Sequence, residues 1–390
     1  MKISVSIRNY IIHFTLAIYL SATAMPWFFQ GRSNMFSLSV VVSVFTLQFF
    51  SFLEPIKNIK RNQLMAFLFF CLLFFFNKFI FIDSPAGETA IKTYFQFYLI
   101  AGACSLLVVN YRYDYEIFLR SLILLGLVIA PVMVRSNYST LLYYVDNDEW
   151  MTQIYSITPF LVGSIHYLYI GRKKLFKLLA IVCIASYFSM YIKHTPRGAV
   201  VIVATAILFF TIQKKIEQGV SFKRILMRGG GILIAAIIAW QLLLGYLRYL
   251  SATYNLRWLA KFVFEEDVSN NRFPLYEMAW NGFLDSPIIG KGIATFLNCT
   301  NYPHNLFLQM LYETGLLVFP LMCYLLYQAL CAIFSLRKTG IYDYKFITFF
   351  FVISMGQLMF SSYYWRNISF WMMIWTIMGM LITKHNILKK

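Results

Sequence analysis

The residues of this chain that are best suited to chemistry lie between Asn270 and Gly315, a polar stretch in an otherwise apolar sequence. The stretch contains Arg272, His304 and a proline- and glycine-rich segment at residues 287–292. A guanidinium binds phosphate through two parallel hydrogen bonds, and an imidazole exchanges a proton near neutral pH. The segment therefore predicts chemistry on a substrate that carries phosphate.

Arg272 stands just before a predicted short helix that has Pro274 near its start and ends near Leu284. Free N–H groups at a helix start attract anions, and the helix dipole adds to this attraction. Arg272 is therefore a candidate phosphate ligand. The alternative is a solvated loop arginine paired with Glu265 or Asp267.

His304 follows Pro303 and opens a long apolar run, with Asn305 beside it and Glu313 further along the same predicted helix. Its ring could take a proton from an attacking hydroxyl or donate a hydrogen bond to phosphate. We interpret His304 as a candidate catalytic residue and Asn305 and Glu313 as candidate substrate-binding residues. The simpler alternative is a histidine that only marks a helix end.

A second polar cluster lies in the short turn KHTPRG at 193–198, between two apolar runs. It places Lys193, His194 and Arg197 close to the membrane. A charged side chain costs about 2.5 to 3.5 kcal/mol at the centre of a bilayer and less near its surface, so such groups usually bind anions or form ion pairs. His194 and Arg197 are therefore candidate substrate-binding residues, and Arg197 is also a candidate for the catalytic set.

The composition indicates a polytopic helical membrane protein. Hydrophobic residues make up 60% of the chain and charged residues 13%, and apolar runs of membrane-spanning length recur along it. The first run lacks the cleavage pattern of a signal peptide and is predicted to be a retained span. The six cysteines show no metal-binding spacing, so we expect neither a metal site nor a cofactor.

Twelve apolar runs are predicted to be membrane-spanning helices, so the expected fold class is all-α. Residues 1–247 would hold spans one to nine, 248–304 a large outer loop, and 305–390 spans ten to twelve. The eighth run is short for about 30 Å of hydrocarbon, and the tenth is long enough to begin outside the bilayer or to tilt. The predicted spans are residues 10–29, 35–53, 64–82, 93–109, 118–134, 154–171, 178–193, 199–212, 231–247, 305–334, 346–361 and 368–384.

The distribution of basic residues predicts the orientation. With both termini on the cytoplasmic side, most of the 34 Lys and Arg residues fall on the inner connectors, as the positive-inside rule requires. The net charge of +18 follows from this asymmetry and from contact with anionic lipid, so nucleic acid is not an expected partner. Arg197, Arg272 and His304 then share the outer face.

Four motifs together resemble the O-antigen ligase and polymerase superfamily, polytopic inner-membrane glycosyltransferases that build bacterial surface polysaccharides. The resemblance covers about 120 residues of the carboxyl-terminal half. Its motifs are TPRG at 195–198, Arg272 followed by a short helix with Trp280, PIIGKG at 287–292, and HNLFLQMLYETG at 304–315.

The resemblance implies a reaction and its partners. Family members transfer a glycan from undecaprenyl pyrophosphate to a sugar hydroxyl of a second lipid-linked repeat unit (polymerase) or of the lipid A core (ligase), on the periplasmic face. Arg197 and Arg272 would hold the pyrophosphate, and His304 would activate the acceptor or assist the departing phosphate. A single displacement without metal implies inversion at the anomeric carbon. Membrane lipid is an expected partner, and a chain-length regulator is a candidate one.

Polymerase and ligase remain alternatives at the sequence level. Val318 stands where the ligase motif has Gly, Thr or Tyr, and Thr195 to Gly198 replace the more common Ser-Arg-Gly. WMTQIYSITPF at 150–160 and the form YPHN resemble polymerases, so polymerisation is favoured. A transporter of lipid-linked sugars is an alternative of another class, although the predicted mid-span positions are almost wholly apolar. A structural partner in an export complex has no positive feature in the sequence.

Overall fold

In a computed structural model, long apolar helices pack side by side. The described residues are 4–29, 34–80, 95–96, 98–140, 153–194, 197–221, 224–225, 246, 249, 253, 272–293, 295–296, 303–360 and 362–387. The helices of the first part of the chain are α1 (Val5–Leu20), α2 (Met25–Phe28), α3 (Asn34–Phe50), α4 (Glu54–Lys57), α5 (Arg61–Ile80), α6 (Cys104–Val109), α7 (Tyr115–Thr140), α8 (Thr158–Ile170) and α9 (Lys174–His194).

The carboxyl-terminal part supplies the helices that surround the candidate site. They are α10 (Arg197–Glu217), α11 (Arg272–Asp285), α12 (Leu306–Phe334), α13 (Tyr344–Phe360) and α14 (Ile368–Ile387). Strands β1 (Lys338–Thr339) and β2 (Tyr342–Asp343) form a small antiparallel pair between α12 and α13. The all-α prediction is confirmed apart from this short hairpin.

Every predicted span except the ninth overlaps a helix of the structure. The ninth, residues 231–247, lies outside the described residues apart from Tyr246, as does most of the predicted loop 248–304. Among the described residues, three helical segments are long and apolar enough to cross a membrane: Tyr115–Val134, Gly198–Glu217 and Leu306–Phe334. The count of twelve spans and the placement of the large loop stay predictions.

Large apolar side chains cover the outward faces of several helices. On α3 the exposed residues recur every three to four positions, as expected for one face of a helix turned toward lipid. These residues are Leu38, Val41, Val42, Phe45 and Phe49. Together with the apolar helices, this pattern identifies a membrane protein.

Helix α10 is longer than its predicted span and helix α12 is broken inside its predicted span, each for a physical reason. Helix α10 begins at Arg197 and continues through Lys214 and Lys215 to Glu217, because charged residues at the ends of a span extend the helix into the membrane interface. Helix α12 runs for 29 residues, but Gly315 inside it has the non-helical angles φ 54° and ψ −155°. Helix α12 therefore consists of two segments joined at a break.

A buried aromatic cluster fixes the segment that follows α13. Trp365, Trp371 and Trp375 are almost fully buried, and Trp371 packs edge-to-face on Phe70 and on Tyr98, with ring centroids 5.0 Å apart in each pair. Such packing contributes about 0.5 to 1.5 kcal/mol per pair beyond area burial. The backbone that leaves Phe360 is therefore attached to a rigid core.

Helices α10, α12 and α13 share a common basic end. Lys214 and Lys215 lie in the last turn of α10, Lys338 follows α12 and pairs with Asp343 at 3.2 Å, and Tyr344 at the start of α13 donates a hydrogen bond to Glu217. The opposite ends of α10 and α13 meet at Phe360.

Candidate active site

Arg272 and His304 meet at one backbone carbonyl. Phe360 is the last residue of α13, and its carbonyl accepts a hydrogen bond from Arg272 Nη2 at 3.1 Å. The His304 ring also donates a hydrogen bond to the Phe360 backbone. The Arg272 guanidinium carbon lies 6.0 Å from the centroid of the Phe360 ring. Because carbonyls at a helix end carry partial negative charge, this end of α13 stabilises a cation beside the imidazole.

The backbone around His304 has an uncommon conformation. His304 has φ 47°, in the left-handed region that residues other than glycine seldom adopt. Asn305 then takes an extended conformation and caps α12, its side-chain oxygen accepting from Phe307 N at 3.0 Å and Leu308 N at 3.2 Å. The cap fixes where the helix begins, and the left-handed residue directs the imidazole back toward Phe360. Residues held in such conformations concentrate at functional sites.

Burial and charge set the protonation of His304. Burial lowers its pKa most, the neighbouring Arg272 guanidinium lowers it further, and the hydrogen bond to the Phe360 backbone raises it; the resulting pKa is about 4. His304 is therefore neutral at physiological pH. A neutral imidazole can accept a proton as well as donate a hydrogen bond.

The start of α10 lies against the same phenylalanine. Gly198 follows Arg197, and a Cβ added at Gly198 would lie 2.6 Å from the Phe360 Cβ and 2.1 Å from Tyr155 Oη. Only glycine allows this close approach. The backbone of Arg197 is thus positioned at the Arg272 and His304 pair, whereas the side chains of Arg197 and His194 lie outside the described part of the structure.

Glu313 lies inside the protein rather than at a surface. It is 0% exposed, and its carboxylate accepts hydrogen bonds from Tyr364 Oη at 2.7 Å, Gln309 Nε2 at 3.0 Å and Trp365 Nε1 at 3.3 Å. These bonds attach the segment after Phe360 to α12. Tyr364 and Trp365 are themselves 1% exposed, so neither ring can stack on a sugar.

A tight turn fits into the break of α12. Gly290 has φ 75° and Gly315 has φ 54°, and each lies so close to the other segment that a Cβ would meet backbone atoms at 2.5 to 2.6 Å. The predicted turn at 287–292 is confirmed, and its glycines are needed for left-handed angles and for close backbone approach.

Backbone hydrogen bonds replace those that the break removes. Leu316 N donates to Pro287 O at 2.8 Å and Leu317 N donates to Ile288 O at 2.9 Å. In the other direction, Lys291 N donates to Tyr312 O at 2.7 Å. The turn thus satisfies polar groups of α12 that would otherwise be buried without partners. It also fixes α11, which ends just before the turn, against the first segment of α12.

The O-antigen ligase family model matches residues 179–323. This match supports the resemblance of residues 179–323 to the O-antigen ligase and polymerase superfamily. The matched segment contains Arg197, Arg272, His304 and the turn at 287–292 that fits into the break of α12. No curated protein has a sequence significantly similar to this chain.

Part of the site lies outside the O-antigen ligase segment and was missed by sequence reasoning. Phe360 contributes its backbone carbonyl, and because every residue has one, the residue type does not indicate this role. Gln357 Nε2 donates to Tyr155 O at 3.0 Å, and its side-chain oxygen accepts from Asn367 Nδ2 at 2.8 Å. These contacts hold the end of α13 in place. Two features of the sequence could have indicated these contacts. Gln357 is a polar residue in an apolar run, and Asn367 follows Arg366.

Proposed function

We propose that this protein transfers a glycan from undecaprenyl pyrophosphate to an acceptor sugar hydroxyl on the periplasmic face of the bacterial inner membrane. The observation that carries the proposal is the meeting of Arg272 and His304 at the carbonyl of Phe360, within a segment of the O-antigen ligase family. Glycan ligation or polymerisation is the general activity of that family, and this pair supplies the cation and the proton acceptor that such a transfer needs.

The proposed step is a direct displacement at the anomeric carbon. The acceptor oxygen forms a bond to that carbon while the bond to the pyrophosphate oxygen breaks, and the leaving pyrophosphate keeps the electron pair. Arg272, with Arg197, stabilises the charge that develops on the leaving group, and His304 takes the proton of the acceptor hydroxyl. One displacement inverts the configuration at the anomeric carbon.

The reaction is proposed to need no metal ion. The guanidinium groups of Arg272 and Arg197 supply the positive charge that a leaving pyrophosphate needs. Turnover by the purified protein should therefore be unchanged by EDTA. A loss of activity that Mg²⁺ restores would contradict this part of the proposal.

Polymerisation of lipid-linked repeat units is the favoured reaction, since Val318 departs from the ligase pattern and the YPHN form resembles polymerases. Ligation to the lipid A core is the second candidate, because the matching family model is that of O-antigen ligase. The two reactions share the donor and differ in the acceptor. The partners are accordingly a lipid-linked oligosaccharide, an acceptor glycan, membrane lipid and, for polymerisation, a chain-length regulator.

Lipopolysaccharide from a strain that lacks the gene separates these reactions on a gel. A core with a single repeat unit would support polymerisation, and a bare core with accumulated lipid-linked polymer would support ligation. Complementation with the wild type, but not with His304→Ala, should restore the missing product. Restoration by His304→Ala would contradict the assigned role of His304. Reconstituted vesicles that move lipid-linked sugar without extending it would support a transporter instead.

A further inference from the structure

A cleft of about 590 Å³ opens beside α11. One wall is α11, and the other is the turn after it together with the first segment of α12. The main lining residues are Pro274, Glu277, Asn281, Asp285, Lys291 and Tyr312. Asn305, Glu313, Arg272 and His304 do not line it.

Three polar side chains form one stripe along this cleft. Glu277, Asn281 and Asp285 are four residues apart, so they lie above one another on the helix, and all three are exposed. Elsewhere around its axis, α11 packs against α12: Ala279 is 0% exposed in a cluster with Tyr312, and a Cβ added at Gly282 would lie 2.2 Å from the Tyr312 ring. The stripe therefore faces outward on a helix that is packed against α12.

The chemistry of the stripe suits a ligand rich in hydroxyl groups. Carboxylates accept hydrogen bonds, an amide both donates and accepts, and an ammonium donates. Lys291 Nζ lies 3.1 Å from Asp285 Oδ2, so the cleft contains two carboxylates and one ammonium. Its net negative charge disfavours a pyrophosphate, while sugar hydroxyls can use every one of these groups.

The stripe starts close to the proposed reacting centre. Helix α11 begins with Arg272, and at about 1.5 Å per residue Glu277 lies roughly 7 Å and Asp285 roughly 20 Å further along the helix axis. A sugar chain attached to a phosphate at Arg272 can extend along this distance. Arg272 lies about half a turn around α11 from the stripe, so the sugar chain would pass over the helix start near Pro274, which lines the cleft, to reach Glu277.

We propose that this cleft is a glycan subsite, in which Glu277, Asn281 and Asp285 hydrogen-bond to sugar hydroxyls next to the transfer site. The proposal rests on the proposed function for the identity of the sugars. The glycan could belong to the donor or to the acceptor, since both carry the same hydroxyl chemistry. The cleft sets which sugar rings are accepted, whereas Arg272 and His304 act at the bond that breaks.

The test uses the purified full chain and, as probe, the repeat-unit oligosaccharide released by mild acid from the host's own lipid-linked pool. Glu277→Gln and Asn281→Ala change exposed side chains and should leave the thermal unfolding temperature unchanged. Each should weaken binding of the probe by about tenfold, because Gln replaces charge-assisted hydrogen bonds with weaker neutral ones and Ala removes those of the amide. The matched control is Glu54→Gln, an exposed carboxylate on α4, which should bind the probe as the wild type does.

Transfer assays then assign the source of the glycan. A raised KM for the lipid-linked donor alone assigns the cleft to the donor glycan, and a raised KM for the acceptor alone assigns it to the acceptor glycan. Unchanged binding and unchanged KM in both variants, with an active wild type, overturns the subsite and leaves the proposed function standing. An inactive wild type that binds the probe, with binding weakened in Glu277→Gln, keeps the subsite and overturns the proposed function.

Discussion

At the scale of single residues, the arrangement of Arg272 and His304 would let one site serve two chemical needs of the proposed transfer. Both side chains bind the carbonyl of Phe360, which holds the guanidinium and the imidazole at a fixed separation. The guanidinium charge disfavours a second charge on the imidazole, so the site keeps one cation and one neutral base. An incoming pyrophosphate would meet the cation, and an incoming hydroxyl would meet the base.

Arg272→Lys should lower kcat by about 100-fold or more, because a lysine cannot reproduce the planar fork that stabilises a leaving phosphate. The matched control is Arg337→Lys. Arg337 also donates to a helix carbonyl, that of Met380 at 3.4 Å, but it lies at the basic end of the bundle. Initial rates of glycan transfer measure both variants. Equal loss in the two would show that Arg272 supports the fold rather than the reaction.

The low pKa of His304 predicts the acid limb of the pH profile. With a pKa of about 4, His304 stays neutral from pH 8 down to pH 5, so kcat/KM should stay flat over that range and fall only as protonation removes the proton acceptor near pH 4. In Arg272→Gln the neighbouring charge is gone, which raises the pKa of His304. The limb of the residual activity should then move to higher pH. A wild-type limb near pH 6.5 would contradict this account.

The sequence predicted the types of these residues but not their contacts. Arg272 and His304 were recognised because guanidinium and imidazole groups are uncommon in an apolar chain. Their shared partner could not be predicted, since it is a backbone carbonyl 88 residues from Arg272. For Glu313 the sequence suggested substrate binding, and only its hydrogen bonds to Tyr364 and Trp365 show an enclosed carboxylate.

At the scale of secondary structure, Glu313 connects α12 with the segment that follows Phe360. In Glu313→Ala the donors of Tyr364 and Trp365 would be buried without an acceptor, at a cost of about 1 to 3 kcal/mol each. We expect a lower free energy of unfolding and a lower kcat, because the Phe360 carbonyl loses its support, while the KM for the donor changes little. A raised donor KM in a stably folded Glu313→Gln would instead indicate direct contact with substrate.

The fit of the turn at 287–292 into the break of α12 at Gly315 gives a second prediction at this scale. Gly315→Ala should lower the free energy of unfolding by more than about 2 kcal/mol, because an alanine there adds a steric clash to the cost of a left-handed backbone. Gly340→Ala is the matched control, since Gly340 has φ 61° and nothing lies within 4 Å of an added Cβ. Denaturant unfolding in detergent compares them. An equal loss of unfolding free energy in the two variants would mean that the fit between the turn and the break contributes nothing to stability.

The positions of the helices were more predictable from the sequence than the insertion of the turn at 287–292 into α12. Apolar runs indicated their positions, and Pro274 marked the start of α11 to within two residues; Arg272, predicted just before the helix, is its first residue. The turn at 287–292 was predicted from its glycines and proline. Its insertion into α12 was not predictable, because Gly315 reads as an ordinary small residue in an apolar run. The break becomes visible only when the partner backbone is in place.

At the scale of the whole molecule, the reacting centre and the lysines lie at opposite ends of the same helices. Helix α10 runs from Arg197 to Lys215 and beyond, and helix α13 runs from the basic end to Phe360. A helix of 21 residues spans about 30 Å, the thickness of the hydrocarbon core. Because lysines favour the cytoplasmic side, we expect the proposed reacting centre to lie on the periplasmic side.

Cysteine labelling tests this orientation in intact spheroplasts. Asn281 is exposed beside the site, and Lys338 is exposed at the basic end, so a cysteine at either position, in a Cys299→Ser background, would be accessible to a reagent on its side of the membrane. A membrane-impermeant maleimide should label Asn281→Cys at once and Lys338→Cys only after permeabilisation. The unsubstituted background sets the baseline, since its other cysteines lie in apolar runs. Labelling of Lys338→Cys in intact spheroplasts would place the lysines outside, and transfer to a periplasmic acceptor would then be impossible for this site.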